Sequence, residues 1–341
     1  MTGPTADQRR AIFERMLLMR RLEESVALMS KDHPFGHFHL YIGQEATGAA
    51  VIDALRPTDL ATTTHRNHGH MVGRGVDEKA VLAEILGRAD GCNAGRGGTL
   101  HVSDRDHGFL ATSAVVGGSI GLGTGAAHAL NRQGGGAICA AFFGDGAMEE
   151  GIAFEAMNIA ALWRLPVLYV CENNSRGALG ARAGEFPTSE MAAPKLSGIP
   201  ESLGIRTEVV DGADADAVHA AAVEAVAVLR AGDGPVFLEA KTARWPGSRP
   251  LWPELATGET DLAMAWKPDR IAGDHAGWIR DQDPVLRYAR TLADTGVCTR
   301  DELDAVDRRI QERMAAARAF AAASPWPDIA SATDAVFAQE A

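Results

Sequence analysis

The 341-residue chain reads as an α/β protein, a mostly parallel sheet with helices on both faces and helical extensions at the N- and C-terminal ends. Three observations predict this. Strand-length apolar runs alternate with helical periodicity between residues 137 and 242, a pattern that calls for parallel strands joined by crossover helices. Glycine is abundant, at 37 residues, and much of it lies between Gly69 and Gly151. Finally, FFGDGAMEEG, from Phe142 to Gly151, stops an apolar strand on one carboxylate between two glycines. Asp-Gly is a common turn dipeptide, but the carboxyl end of a sheet strand is also where ligands bind in open α/β folds.

The elements follow in order. Residues 7–30 form an amphipathic helix with Ile12, Met16, Met19 and Leu22 on one side. The loop GHFHLYIGQEATG leads into a helix over residues 44–55. Residues 61–75, ATTTHRNHGHMVGRG, read as a strand end plus loop, and residues 79–88 as a helix. Residues 91–101, GCNAGRGGTLH, are too glycine-rich for regular structure; the GRGG run either cradles a phosphate or positions a loop and His101. Gly117, Gly121 and Gly125 recur every fourth residue and, on a helix, leave a bare stripe for another backbone. Each glycine costs a helix roughly 1 kcal/mol against alanine, so packing must offset the stripe.

AICAAFF (137–143) is a strand, and residues 148–164 are a helix with Ile152, Ala156, Ile159 and Trp163 on one face, Trp163 being expected in the core. PVLYVCE (166–172) is the next strand, followed by a short helix closing at residues 201–204 and a strand over 207–212. An alanine-rich helix over 216–230 and a strand over 235–242 complete the alternation. From Pro284 long helices run through Arg318 into a less regular tail. The expected units are an N-terminal helical segment and loop (1–60), an α/β domain (61–283) and a C-terminal helical extension (284–341).

A net charge of −12 argues against general affinity for nucleic acid or anionic membrane. Residues 108–131 carry no Asp, Glu, Lys or Arg. A membrane span takes about 20 mostly apolar residues, but this run is rich in Gly, Ser and Thr and reads as packed core or subunit interface. The N-terminus has no apolar signal core. Cys92, Cys139, Cys171 and Cys298 show no CxxC spacing, so a reducing cytoplasm is expected, with Cys139 and Cys171 as buried thiols.

Gly144, Asp145 and Gly146 sit at a strand's carboxyl end, and a following helix N-terminus there favours phosphate. Asp145 would repel a diphosphate unless a divalent cation lay between them. Mg²⁺ suits, because it takes oxygen ligands from one or two carboxylates plus phosphates and water. CENNSRG places Asn173 and Asn174 just past the next strand, so an amide oxygen and Asp145 can share one hard cation.

The segment GDGAMEEGIAFEAMNIAALWRLPVLYVCENN resembles the thiamine-diphosphate motif. More narrowly, the chain is similar to the alpha subunit of the first component of 2-oxoacid dehydrogenase complexes of pyruvate, branched-chain or acetoin type. HLYIGQEA, HRNHGH, GRGGTLH, VVDGAD, GPVFLEAKTAR, DPV and SPWPD fall in the family's order. The resemblance implies a thiamine-diphosphate-binding fold in which Asp145 and Asn174 hold Mg²⁺ by side chains and Arg176 by its carbonyl. It implies that Gly144, Gly146 and Ala147 meet the diphosphate along the backbone, that Arg66 binds a diphosphate oxygen and that Val116 lies against the aminopyrimidine. His65 stands where the family has Tyr; Glu172 supports the site; His39 lines the substrate channel, and His39 or His68 shuttles protons. The implied reaction cleaves a 2-oxo acid and passes the acyl unit to a lipoyl-bearing carrier domain or acyl carrier protein. A beta subunit, in a heterotetramer of two alpha and two beta chains, supplies the glutamate that activates the aminopyrimidine.

Two stretches depart from the family. Ser248, in KTARWPGSRPLWPEL, replaces a loop histidine, and Ser119-Ile120-Gly121 replaces a Gln-x-Pro run. Arg244 and Arg249 either bind an anionic donor or are solvated loop charges. One alternative is a transketolase-like hybrid moving a two-carbon unit from a ketose phosphate to a carrier; another is a catalytically silent interaction subunit. His37, His39, His65, His68, His70 and His101 invite a zinc reading, but no acidic or Cys partner has ligand spacing, so loop hydrogen bonding is expected.

Overall fold

The computed structural model describes residues 3–36, 38–175, 192–245, 255 and 257–334. Six parallel strands form one sheet: β1 (Leu60–Thr64), β2 (Phe109–Ser113), β3 (Cys139–Gly144), β4 (Val167–Asn173), β5 (Arg206–Asp211) and β6 (Val236–Lys241). Their spatial order is β2-β1-β3-β4-β6-β5. From β1 the chain crosses to β2 on one side and then to β3 on the other, so a topological switch opens between β1 and β3. β3 and β4 pair in register from Cys139↔Val167 to Gly144↔Glu172, which delivers their carboxyl ends side by side.

Alternation along the strands builds a core on each face. Ala140, Phe142, Leu168, Val170 and Leu238 join one buried cluster, with residues of α1 (Ala6–Met29), α2 (Glu45–Ala54) and the helix over Ala215–Arg230. Cys139, Ala141, Phe143, Tyr169 and Cys171 join the other, with residues of the helices Gly118–Gln133 and Gly151–Trp163. Among the described residues the helices that follow α2 in chain order are α3 (His68–Gly73), α4 (Glu78–Ile85), α5 (Gly118–Gln133), α6 (Gly151–Trp163), α7 (Gly198–Ser202) and α8 (Ala215–Arg230). α9 (Ala276–Asp281), α10 (Pro284–Asp294) and α11 (Arg300–Ala323) close the chain. α1 and α11 both open on capping boxes, Thr5 with Gln8 and Thr299 with Glu302.

Residues 61–75 open on the expected strand end, β1, but the stretch expected as loop carries helix α3, and residues 109–113, FLATS, for which the sequence predicts no element, form edge strand β2. Two glycines of the stripe, Gly121 and Gly125, lie on α5, and Gly125 is exposed with nothing within 4 Å of an added Cβ, but Gly117 does not lie on the helix face. Gly117 is a left-handed N-cap at φ 79°, where a Cβ would lie 2.7 Å from Ile152. The glycine that lets α5 press on the sheet is Gly123, whose Cβ would meet Ala141 Cβ at 2.7 Å. Finally, α6 buries Ala153, Ala156, Met157 and Ala160, while Ile152, Ile159 and Trp163 stand exposed. No described helix is long and apolar enough to cross a membrane.

A buried ion cluster fixes the loop between α1 and α2. Arg20 donates to Glu45 at 2.6 Å and to both oxygens of Asp283 at 2.8 and 3.1 Å. Glu45 also accepts the Gly43 N–H at 2.8 Å. Gly43 has φ 100°, and a Cβ there would lie 2.5 Å from the Ala243 carbonyl, so only glycine lets this loop cross the end of β6. Burial pushes the Glu45 carboxyl up against the pull of Arg20. Removing one partner of such a cluster strands the other buried charge. Arg20→Ala is expected to lower the unfolding free energy by about 3–5 kcal/mol in urea denaturation, and a loss under about 1 kcal/mol would show that water replaces the guanidinium.

Candidate active site

A cleft of about 260 Å³ opens at the carboxyl ends of the strands, over the switch between β1 and β3. Each wall is the residue run that leaves a strand: Thr64, His65 and Arg66 after β1; Ser113, Val115, Val116 and Gly117 after β2; Gly144 to Ala147 after β3; Glu172 and Asn174 at the end of β4; and Arg244 after β6. Gln44 completes it from the loop before α2.

Asp145 and Asn174 meet here. The Asn174 N–H donates to Asp145 Oδ1 at 3.2 Å, and both residues are buried. Asn174 Nδ2 donates to Gln44 Oε1 at 2.8 Å. That fixes the amide so that Oδ1 is the remaining acceptor, and among the described residues no donor meets it. A Cβ on Gly144 would touch nothing within 4 Å, so the backbone there faces open space. The expected helix N-terminus is displaced: a 3₁₀ turn, Asp145–Glu149, comes first, and α6 begins only at Gly151. The backbone that lines the cleft after β3, Gly144 to Ala147, therefore belongs to the strand end and the turn, whose first amides have no acceptor within it.

Asp145 and Asn174 line one cleft beside the open backbone of Gly144, and a carboxylate with an amide oxygen suits a cation completed by a ligand's oxygens. Among the described residues no group of three or more His, Cys, Asp or Glu is set to hold a metal. A hard ion such as Mg²⁺ takes most of its ligands from phosphate and water.

Arg66 is buried, donates to the Leu40 carbonyl at 2.6 Å and lines the cleft. His65 stands beside it, its ring edge-on to His39 with centroids 4.6 Å apart. Burial, and then the charges of Arg66 and Arg244, depress the His65 pKa from 6.5 to about 3. Val116 is half exposed on the opposite wall. His68 is not part of the cleft wall. It is fully buried, with Nδ1 3.3 Å from Glu23 and Nε2 2.9 Å from the Thr99 carbonyl, a geometry that positions a loop rather than passes protons. His37, Arg176, Ser248 and Arg249 lie outside the described residues.

Of the further contributors, Gln44 was not legible as a site residue, whereas Arg244 and Glu172 were. Gln44 sits in the HLYIGQEA run, but its amide pairing spans 130 residues. Arg244, read as a donor-binding or solvated charge, is buried at the cleft wall. Glu172 is buried, accepts a hydrogen bond from the Tyr41 hydroxyl, and lies 3.5 Å from His70 Nε2 without hydrogen-bond geometry. The phosphate-cradle reading of GRGG is overturned, since Glu84 already takes the N–H groups of Asn93, Gly95, Gly97 and Gly98.

A family model described as "Dehydrogenase E1 component" matches residues 14–330. The chain is 36% identical over 318 residues to "Pyruvate dehydrogenase E1 component subunit alpha" of Rhizobium meliloti (strain 1021), covering 93% of this chain and 86% of that protein. It is 34% identical to the protein of the same name from Rickettsia felis, covering 95% and 94%. With that of Zymomonas mobilis the identity is 36%, covering 92% and 84%.

The His65 environment makes a pH prediction. The unfolded chain takes up this proton near pH 6.5 and the folded chain only near pH 3, so His65 subtracts stability as pH falls between about 6.5 and about 3. An NMR titration should leave the His65 ring neutral at pH 5, and Arg244→Gln should raise its pKa; a wild-type midpoint near 6.5 would contradict the buried, cationic setting.

Proposed function

The chain belongs to the dehydrogenase E1 component family, as the alpha subunit of a thiamine-diphosphate-dependent 2-oxoacid dehydrogenase, and from that premise we propose that it holds thiamine diphosphate and Mg²⁺ in the cleft between β1 and β3. The observation that supports this reading is that Asp145 and Asn174 line the same cleft, in contact through the Asn174 N–H, beside the open backbone of Gly144. Asp145 and Asn174 Oδ1 hold the ion, and Arg176 adds its carbonyl. The Gly146 and Ala147 amides and the guanidiniums of Arg66 and Arg244 meet the diphosphate, and Val116 supports the aminopyrimidine.

Bound thiamine diphosphate supplies the electron sink that lets a 2-oxo acid lose carbon dioxide. The protein's share is binding, orientation and electrostatics. Gln44 sets the Asn174 amide, and His65, kept neutral, offers hydrogen bonds without adding charge beside the two arginines. His39, whose ring packs edge-on against that of His65, would hold or move a proton.

The cleft is half of an active site. Its described carboxylates are Asp145, which serves the ion, and Glu172, which is tied to Tyr41. A beta subunit supplies the carboxylate that activates the aminopyrimidine, and the acyl unit passes to a lipoyl carrier. The name "subunit alpha" of the relatives and the exposed Val115, Val116, Ile152 and Trp163 support a partner chain on this side. Four free cysteines support a reducing cytoplasm. The relatives favour neither a ketose-phosphate hybrid nor a silent subunit.

Calorimetric titration of the alpha–beta complex with thiamine diphosphate tests the reading. Binding should require Mg²⁺ and vanish with EDTA, and Asp145→Ala or Asn174→Ala should weaken it by about 100-fold or more. Undiminished Mg²⁺-dependent binding in both variants would reject the assignment. Pyruvate and branched 2-oxo acids, offered to the loaded complex, then identify the donor.

A further inference from the structure

Glu84, near the end of α4, is fully buried, and among the described residues no cation pairs with it. Its four partners are backbone amides of the glycine-rich loop. Oε2 accepts the N–H groups of Asn93 and Gly95 at 2.7 and 2.9 Å, and Oε1 those of Gly97 and Gly98 at 2.6 and 3.2 Å. Ala94, Gly95 and Gly98 have φ of 53°, 76° and 58°, which turns successive N–H groups inward. Such a concavity binds anions, and here the anion is the protein's own. Without it four half-buried donors would lose their acceptors.

From this plug two hydrogen-bonded arms reach the cleft. The Thr99 carbonyl accepts from Asn67 Nδ2 at 3.1 Å and stands 2.9 Å from His68 Nε2; these residues directly follow His65 and Arg66. The Leu100 carbonyl accepts from Thr112 Oγ1 at 3.1 Å, and Thr112 precedes Ser113 on the cleft wall. The loop therefore braces the carboxyl ends of β1 and β2, the two strands on one side of the switch.

We propose that Glu84 is a positioning residue for the cofactor cleft, its carboxylate folding the loop whose carbonyls set Arg66 and Val116 in place. The identity of the ligand rests on the reading under Proposed function; the mechanical link does not. It predicts that damage at Glu84 travels to residues 65–68 and 111–116 and leaves β4, across the switch, untouched.

Glu84→Gln keeps the volume and sets an amide N–H₂ against the loop's donors. In the full chain, hydrogen exchange at residues 93–99, 65–68 and 111–116 should quicken by about tenfold or more, with β4 unchanged. In the alpha–beta complex the affinity for Mg²⁺–thiamine diphosphate should fall about tenfold, with the cofactor KM raised and kcat at saturation within about twofold of wild type. Faster exchange confined to residues 93–99, with affinity unchanged, would overturn the proposal. Should Glu84→Gln not fold, Thr112→Val cuts one arm alone; faster exchange at residues 113–116 and weaker binding support the link, and wild-type values for both reject it. If the wild-type complex binds no thiamine diphosphate, the functional reading fails, and the exchange measurement still decides whether Glu84 controls the cleft walls.

Discussion

The N–H of Asn174 reaches the carboxylate of Asp145 at 3.2 Å, and the rest of the site is arranged around that contact. It exists because β3 and β4 are neighbours paired in register, with Gly144 opposite Glu172. Each strand then releases its chain at the same height, one into Asp-Gly, the other into Asn-Asn. The switch in strand order keeps a crossover from roofing the gap between β1 and β3, which leaves the cleft open where the two donors meet. The same parallel geometry sends the residues after β1, β2 and β6 to its rim.

Around this centre lies a set of buried carboxylates, each assigned its own donors. Glu45 takes Arg20 and the Gly43 amide, Glu172 takes Tyr41, Glu23 takes the Gly69 amide, and Glu84 takes four loop amides. Burying an ion costs several kcal/mol even after relaxation, while a hydrogen bond to a charged group returns about 1.5–3 kcal/mol. Two or more good donors offset the loss and one does not, so these acids specify loop shape more than they add stability. The loops they hold are those that carry Gln44, Arg66 and the β2 exit into the cleft.

The sheet was legible in the sequence because strands buried on both faces read as continuous apolar runs, and the Gly-Asp-Gly to Asn-Asn spacing marks one β-α-β unit. Strand β2 was hidden because it is a five-residue edge strand with a mixed burial pattern inside a glycine-rich run. The face of α6 was misread since apolar periodicity does not say which apolar stripe meets the chain's own core, and here the small residues Ala153, Ala156 and Ala160 do while Ile152, Ile159 and Trp163 stay exposed. His68 and the GRGG run look like chemistry in one dimension. Only the fold shows that the partners of His68 are Glu23 and Thr99 and that the nest is filled by Glu84. Long-range polar pairs such as Gln44 with Asn174 leave no local periodicity to read.

The most direct measurement is the position of the metal in a crystal of the alpha–beta complex grown with thiamine diphosphate and Mn²⁺ in place of Mg²⁺. One anomalous peak is expected in the cleft, within coordination distance of a carboxylate oxygen of Asp145 and of Asn174 Oδ1, with diphosphate oxygens, the Arg176 carbonyl and water taking the other positions. A peak elsewhere, or a diphosphate seated in the cleft with neither side chain on the ion, would contradict it.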